Sequence, residues 1–168
     1  MIRQQKNILL ILFLVFFASC QSTEKEIHLI PEGFVGRVMI FFERDDGSPE
    51  KYENGARLYE VPENGILKTT FDLNEGFQQL NDIQFFYVNE KGDRKPINQR
   101  WTKNPDSKVI LHPSTIEVFG TTVGVANDSL VYLEYVIDRI SEADNYKGLT
   151  KISEYVNSDQ KLPKQDFP

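Results

Sequence analysis

Between Ile27 and Ile137 the apolar residues fall in runs of strand length, each closed by glycine, proline, asparagine or aspartate. A chain punctuated at that spacing is confined to a mainly β fold. Ile27 to Ile30 and Gly36 to Phe42 are read as the first two strands, parted by the Pro31-Glu32-Gly33 turn. In Val38, Met39, Ile40, Phe41 and Phe42 both alternating faces are apolar, so this strand is expected at the centre of a sheet covered on both sides. The turn formers Arg44-Asp45-Asp46-Gly47-Ser48-Pro49 end it. Ala56 to Val61 and Ile66 to Phe71 flank Pro62-Glu63-Asn64-Gly65, where the Asn-Gly pair predicts a hairpin because both residues readily take positive φ.

Asp82 to Asn89 is a further strand, with Ile83, Phe85 and Tyr87 on one face and Phe86 and Val88 on the other; Glu90-Lys91-Gly92-Asp93 closes it. The basic, polar stretch that follows, through Trp101 to Asn104-Pro105-Asp106, is read as a long loop with at most one short edge strand. Lys108 to Leu111 is compatible with a brief strand, interrupted at His112-Pro113, and Thr115 to Ala126 is extended. Leu130 to Ile137 fits a helical face through Leu130, Leu133, Val136 and Ile140. Its Val, Tyr and Ile content and the preceding Asn127-Asp128-Ser129 turn favour a strand. Leu149, Ile152, Tyr155 and Val156 predict a short amphipathic helix over Gly148 to Val156, followed by a loose polar tail over 158–168. The expected domain, residues 27–157, is therefore an antiparallel β-sandwich-like unit with a short C-terminal helix.

Ahead of that domain, Ile8 to Phe17 is an unbroken apolar run behind Arg3 and Lys6 that ends in Ala18-Ser19-Cys20. A membrane-spanning helix needs about 20 apolar residues, roughly twice this length, so the run reads as a cleaved export signal. Cys20 is the only cysteine and has no intramolecular disulfide partner. Phe17-Ala18-Ser19-Cys20 resembles the lipobox of bacterial lipoproteins, with phenylalanine where that pattern prefers leucine. The resemblance implies a signal peptide over 1–19, cleavage before Cys20, acylation of its thiol by a diacylglycerol bearing palmitate-type chains, and a lipidated tether over 20–26. It places the chain in a bacterial cell envelope, with the membrane as its partner through the lipid on Cys20. Gln21, rather than aspartate, resembles lipoproteins sent to the outer membrane. The alternative is an ordinary secreted protein cut near Ala18 that keeps a free thiol. Each buried methylene contributes about 0.8 kcal/mol and one acyl chain binds only marginally, so two or three chains are what hold such a protein in place.

From Cys20 onward the chain is long enough for one domain with its own core, without a disulfide or a metal. Its net charge is −6, and loss of Arg3 and Lys6 with the signal makes the remainder more acidic. Nucleic acid, and adhesion to anionic lipid by charge, both require clustered Lys and Arg, and neither is expected here. Leu29-Ile30-Pro31-Glu32-Gly33-Phe34-Val35-Gly36 leading into Val38-Met39-Ile40-Phe41, with Gly55-Ala56-Arg57-Leu58-Tyr59-Glu60-Val61-Pro62-Glu63-Asn64-Gly65-Ile66-Leu67, resembles an uncharacterised domain family of short bacterial lipoproteins of the Bacteroidetes kind. That resemblance implies an envelope lipoprotein with a β domain and brings no catalytic residue with it. Gly36-Arg37-Val38-Met39-Ile40 and Asp46-Gly47-Ser48-Pro49 carry a looser likeness to transthyretin-like and carboxypeptidase-regulatory β-sandwich modules.

Candidates for chemistry are few. Ser114, His112 and Asp106 could be drawn as a triad, but residues so close in sequence seldom converge, and the chain lacks a Gly-x-Ser-x-Gly elbow. His28 reads as a satisfied strand residue. Two histidines and an acylated cysteine do not make a zinc site. Glu43, Asp45 and Asp46 surround one glycine turn and Asp82, Glu90 and Asp93 another, without the spacing of a calcium loop. No metal, cofactor or catalytic role is expected. Trp101, flanked by Arg100 and Lys103, together with Tyr52 and Tyr59 near turns, offers aromatic surface for a sugar or a protein partner, or, for Trp101, a cap over the open end of the sandwich. The expected function is a non-catalytic β module that binds an envelope protein or glycan; the alternative is an envelope hydrolase or glycan-binding protein with an unrecognised site.

Overall fold

A computed structural model describes residues 23–76, 79–100, 114–126 and 130–146. The strands are β1 (Lys25–Pro31), β2 (Gly36–Phe41), β3 (Tyr52–Glu53), β4 (Ala56–Glu60), β5 (Ile66–Lys68), β6 (Ile83–Val88), β7 (Arg94–Pro96), β8 (Asn98–Gln99), β9 (Ile116–Ala126) and β10 (Leu130–Arg139). They form two sheets, ordered β3-β4-β1-β6-β7 and β5-β2-β10-β9-β8. Ile30, Tyr59, Val61 and Phe85 of the first meet Val38, Ile40, Leu67, Val118, Tyr135 and Ile137 of the second in one core. The domain is thus mainly β and two-layered, as expected. Short 3-10 segments cover Leu80–Asp82 and Ile140–Tyr146. The signal peptide, the Lys108 to Leu111 segment, the Gly148 to Val156 helix and the polar tail lie outside the described residues.

β2 has the predicted double-sided character. Val38, Ile40 and Phe42 enter the core, while Met39 and Phe41 pack with Leu130 and Tyr132 on the other face. Leu130 to Ile137 is strand, paired on both sides. Pairing is mixed rather than wholly antiparallel. β10 is antiparallel to β2 and β9, but β1 runs parallel to both β4 and β6, β2 to β5, and β8 to β9. The basic stretch after β6 contributes two short edge strands, β7 and β8, one to each sheet, where at most one was expected.

The predicted hairpin across Pro62-Glu63-Asn64-Gly65 is not a hairpin. The chain leaves β4 in one sheet and enters β5 in the other. Gly65 takes φ 75°, and a Cβ there would lie 2.6 Å from the Arg37 carbonyl oxygen and 2.9 Å from the Phe34 ring. The turn is tight because Gly65 already packs on Phe34 and hydrogen-bonds to β2, the strand that β5 joins, not because its two arms pair. The hairpin of the type foreseen is at Asn54-Gly55, where both residues have positive φ (51° and 79°) between β3 and β4.

Two of the crossings between the sheets, at residues 32–35 and 61–65, lie at one end of the sandwich. The opposite end, called the entry end, therefore holds the start of β1, β4 and β6, the close of β2, residues 69–76, the end of β9 and the start of β10. β1 begins at Lys25, and Glu24 is already fixed: its amide donates to Asn74 Oδ1 (3.0 Å) and its carbonyl accepts from Asn74 Nδ2 (2.8 Å). Glu24, Lys25 and Glu26, counted with the tether in the sequence, belong to the fold.

The first sheet is curled. Arg94 on β7 donates to both carboxylate oxygens of Glu53 on β3, at 2.6 and 2.8 Å, although these are its two outer strands. Four strand spacings of a flat sheet would separate them by about 19 Å. Arg94 is the register partner of Val88 and Glu53 that of Ala56, so both project from the face away from the main core. The pair closes over a second apolar cluster of Ile27, Leu29 and Ala56, with Leu58, Phe86 and Val88 against it.

Candidate functional site

By alternation along β4, Arg57 shares the inward face with Tyr59 and Val61, and it is 7% exposed. A buried cation needs partners. Its guanidinium donates to the Asp72 carbonyl (2.6 Å) and Asp72 Oδ1 (2.8 Å), pairs with the Glu24 carboxylate and lies 5.0 Å from the Phe71 ring centroid. Burial by itself would lower the Arg57 pKa; the Glu24 carboxylate, the Tyr59 hydroxyl and the Asp72 carboxylate together outweigh it and hold the group above its ordinary value. Around Arg57, at the entry end, Glu24, Glu43, Asp72, Leu73, Asn74 and Glu75 line an open cleft of about 550 Å³. Glu43 and Glu75 are exposed and have no ion-pair partner among the described residues, whose side chains at the cleft carry an excess of negative charge. Glu43 also takes φ 54°, unusual for a residue with a Cβ.

Beneath this cleft lies a buried polar chain. His28 is fully buried on β1; its Nε2 is 3.1 Å from Glu26 Oε2 and its Nδ1 3.1 Å from the Tyr135 hydroxyl. Asn74 Nδ2 donates to Glu26 Oε1 at 2.7 Å and so links this chain to the cleft wall. The ring stacks on Phe85 at 4.6 Å and lies 4.8 Å from Tyr59. His28 is thus a satisfied strand residue, walled off from any ligand in the cleft. The hydroxyl of Tyr59, a residue 1% exposed, makes no hydrogen bond of normal geometry but lies close enough to the Arg57 guanidinium to interact with it. Burial and then the Glu26 carboxylate push its phenol pKa up, against the pull of Arg57 beside it.

The structure brings together two of the four predicted binding residues. Tyr52, half exposed, and Tyr59 both meet the Phe71 ring edge-on at 5.3 Å, on either side of Arg57. Burial foremost, with Glu24 and Glu50, raises the Tyr52 pKa. Arg100 is elsewhere, on the β8 edge of the second sheet, 3.3 Å from Glu117 Oε1. Trp101 and Cys20 lie outside the described residues, as do His112 and Asp106; Ser114 is exposed. Asp46, in the first acidic turn, is engaged by Lys68 (2.7 Å) and Arg44, and its pKa is lowered, chiefly by the Lys68 bond. Among the described residues, no three His, Cys, Asp or Glu side chains gather closely enough to hold a metal ion. Arg57, Asp72 and Asn74 were not foreseen. The signal for Arg57 was in the strand pattern itself, since the alternation that turns Tyr59 and Val61 inward turns it inward too.

No curated protein matches the sequence. A crystal structure named "Putative Lipoprotein from Bacillus anthracis" shares the fold at a TM-score of 0.50 and 16% identity, over 87% of this chain and 85% of that one. A family's sequence profile matches residues 22–137, the span that runs from just before β1 through most of β10. The chain belongs to that family, the family of unknown function DUF6843.

Proposed function

We propose that this chain is a non-catalytic binding module anchored by lipid on Cys20 to a bacterial envelope membrane, the outer membrane where Gln21 is the sorting signal, and that the entry-end cleft is its binding site. The observation that carries the reading is the position of Glu24, which lines the cleft, pairs with Arg57 and stands four residues after the lipobox cysteine. Support for a module without catalysis comes from the chemistry at hand: the cleft has carboxylates, an amide and a committed guanidinium, while the imidazole nearest it is enclosed. The named solved structure is described as a lipoprotein too, which agrees with the anchored reading.

The test is fractionation of cells expressing Cys20→Ala beside cells expressing Glu43→Gln with Glu75→Gln. The first variant is expected as uncleaved precursor or as protein released from membranes. The second is expected to be processed and retained normally, but to lose the crosslinked partners of the wild-type cleft. Normal processing and retention of Cys20→Ala would remove the anchored reading, and an unchanged crosslinking pattern in the glutamine pair would remove the cleft.

A further inference from the structure

The outer edges of both sheets are short or guarded, with one exception. β3, β5, β7 and β8 have two or three residues each. Glu53 and Arg94 clasp β3 to β7, β7 itself is Arg94-Lys95-Pro96, and beside β5 the Ser48 amide donates to the Lys68 carbonyl at 2.8 Å. Charge, proline and short length are what keep a sheet edge from pairing with another chain. β9 has none of these guards. It is 11 residues long, and β8 pairs with it only at Glu117 and Val118, the Arg100 amide donating to the Val118 carbonyl. Among the described residues no strand pairs with that edge of β9 beyond Val118. From Val118 to Val125 the sequence has neither charge nor proline, and Thr121, Thr122, Val123 and Val125 are exposed.

The backbone of this edge points outward at the residues whose side chains are most open. Phe42 donates its amide to the Val131 carbonyl, so Val131 and Leu133 serve β2, while Leu130, Tyr132 and Glu134 serve β9. Their partners Ala126, Gly124 and Thr122 are spent in that ladder, which leaves the N–H and C=O of Val123 and Val125 directed at the free edge. The two valines lie opposite Leu133 and Val131, on the face that carries the core, yet they are 53% and 63% exposed. On the other face a Cβ at Gly124 would fall 2.3 Å from the Tyr132 hydroxyl, so Tyr132 takes that place and the edge stays smooth.

We propose that the free edge of β9 is a site of strand addition and that its occupant is the same edge of a second copy, antiparallel about a two-fold axis at Val123. The free stretch, from Gly120 to Ala126, has Val123 at its centre, and the backbone groups of Val123 face outward, so its two copies form a hydrogen-bonded pair. The exposed valines share one face, so pairing sets valine against valine. The chain has a net charge of −6, which opposes self-association over most of its surface, but this stretch brings no charge to the contact. The two five-stranded sheets then run on as one. So short an edge buries less than the about 800 Å² per partner of a standard interface, so the pairing is reversible and is read by covalent trapping.

The test expresses the full chain with one added cysteine, Val123→Cys, Val125→Cys or, in the exposed crossing at the other end, Val35→Cys, and oxidises intact cells; the chain with Cys20 alone gives the background. The Cα atoms of a hydrogen-bonded antiparallel pair are about 5.5 Å apart, within disulfide reach, so Val123→Cys is expected to give a linked species of twice the chain mass. Val125 stands four register positions from its own copy, about 14 Å, so Val125→Cys is expected to give at most one-fifth as much, as is Val35→Cys. Val125→Pro removes a donor aimed at the edge and none from the β10 ladder, and is expected to cut trapping at Val123→Cys at least fivefold. Trapping at 123 no greater than at 125 or at 35 would overturn the proposal, and these three positions decide it even where the proline variant does not fold. Trapping that persists in a folded proline variant would overturn strand pairing. A linked species at 123 that contains a different polypeptide would overturn the second copy as the occupant.

Discussion

Tyr59 and Tyr135 are a matched pair for which the structure predicts opposite consequences of the same change. Both phenols sit in the main core at 1% and 0% exposure, both touch His28, and each becomes phenylalanine by loss of one oxygen. The Tyr135 hydroxyl is 3.1 Å from His28 Nδ1, so Tyr135→Phe leaves a buried ring nitrogen without a partner. An unsatisfied buried polar atom costs about 1–3 kcal/mol. The ring contact with Phe85 at 5.0 Å survives, so little packing loss is added. Tyr59→Phe instead removes a hydroxyl that makes no hydrogen bond of normal geometry, only a looser polar contact with Arg57, and is expected to be neutral or to stabilise by up to about 1 kcal/mol. The two variants should therefore differ by at least about 1 kcal/mol. Urea unfolding of the leaderless Cys20→Ser chain, with a common m-value, measures the difference directly as a shift in midpoint. Equal destabilisation of the two variants would show that the Tyr59 hydroxyl is hydrogen-bonded.

Other outcomes follow from single features. Gly65→Ala forces a Cβ into the left-handed region and to within 2.6 Å of the Arg37 carbonyl, and should cost about 2–4 kcal/mol; a change below about 1 kcal/mol in thermal or urea unfolding would mean that the crossing turn is not held against β2. Glu53→Gln weakens the clasp with Arg94. Because both partners are about one-third exposed, stability should fall by no more than about 1 kcal/mol, while amide exchange in β3 and β7 accelerates; unchanged exchange would contradict the curled sheet. Burial pushes the Tyr87 phenol up to about 12 and Tyr59 higher still, and it pushes Tyr135 well above the ordinary phenol value. Unfolded tyrosines lose their protons near 10 while these keep theirs, so the unfolded state binds fewer protons and stability falls as pH rises through that window. The slope approaches about 1.4 kcal/mol per pH unit for each fully buried phenol. A melting temperature that does not fall between pH 10 and 12, or a Tyr135→Phe variant with the same slope, would contradict this.

The sequence was most legible where local alternation and burial agree. β6 shows both faces that its residues promised, Ile83, Phe85 and Tyr87 toward the main core and Phe86 and Val88 toward the second cluster. β2 is covered on both sides because both its faces are apolar. Partner choice was less legible. Asn64-Gly65 and Asn54-Gly55 are the same dipeptide, yet one joins two sheets and the other closes a hairpin. What separates them is the opposing layer, Phe34 and the Arg37 carbonyl, which no local pattern contains. The cleft was hidden for a similar reason: Arg57, Asp72, Asn74 and Glu24 are far apart in the chain and converge only once β4, the segment after β5 and the first residues of β1 meet at one end. Tyr52 and Tyr59 were visible as aromatics near turns, but their common contact with Phe71 was not.

The measurement closest to the central claim is the intact mass of the mature protein extracted from envelope membranes, with its N-terminal peptide sequenced. The account predicts a chain beginning at Cys20 whose mass exceeds that of the unmodified sequence by a diacylglyceryl group, with or without a third acyl chain. A chain beginning elsewhere, or one with an unmodified Cys20 thiol, would contradict it and leave the entry-end cleft without its membrane.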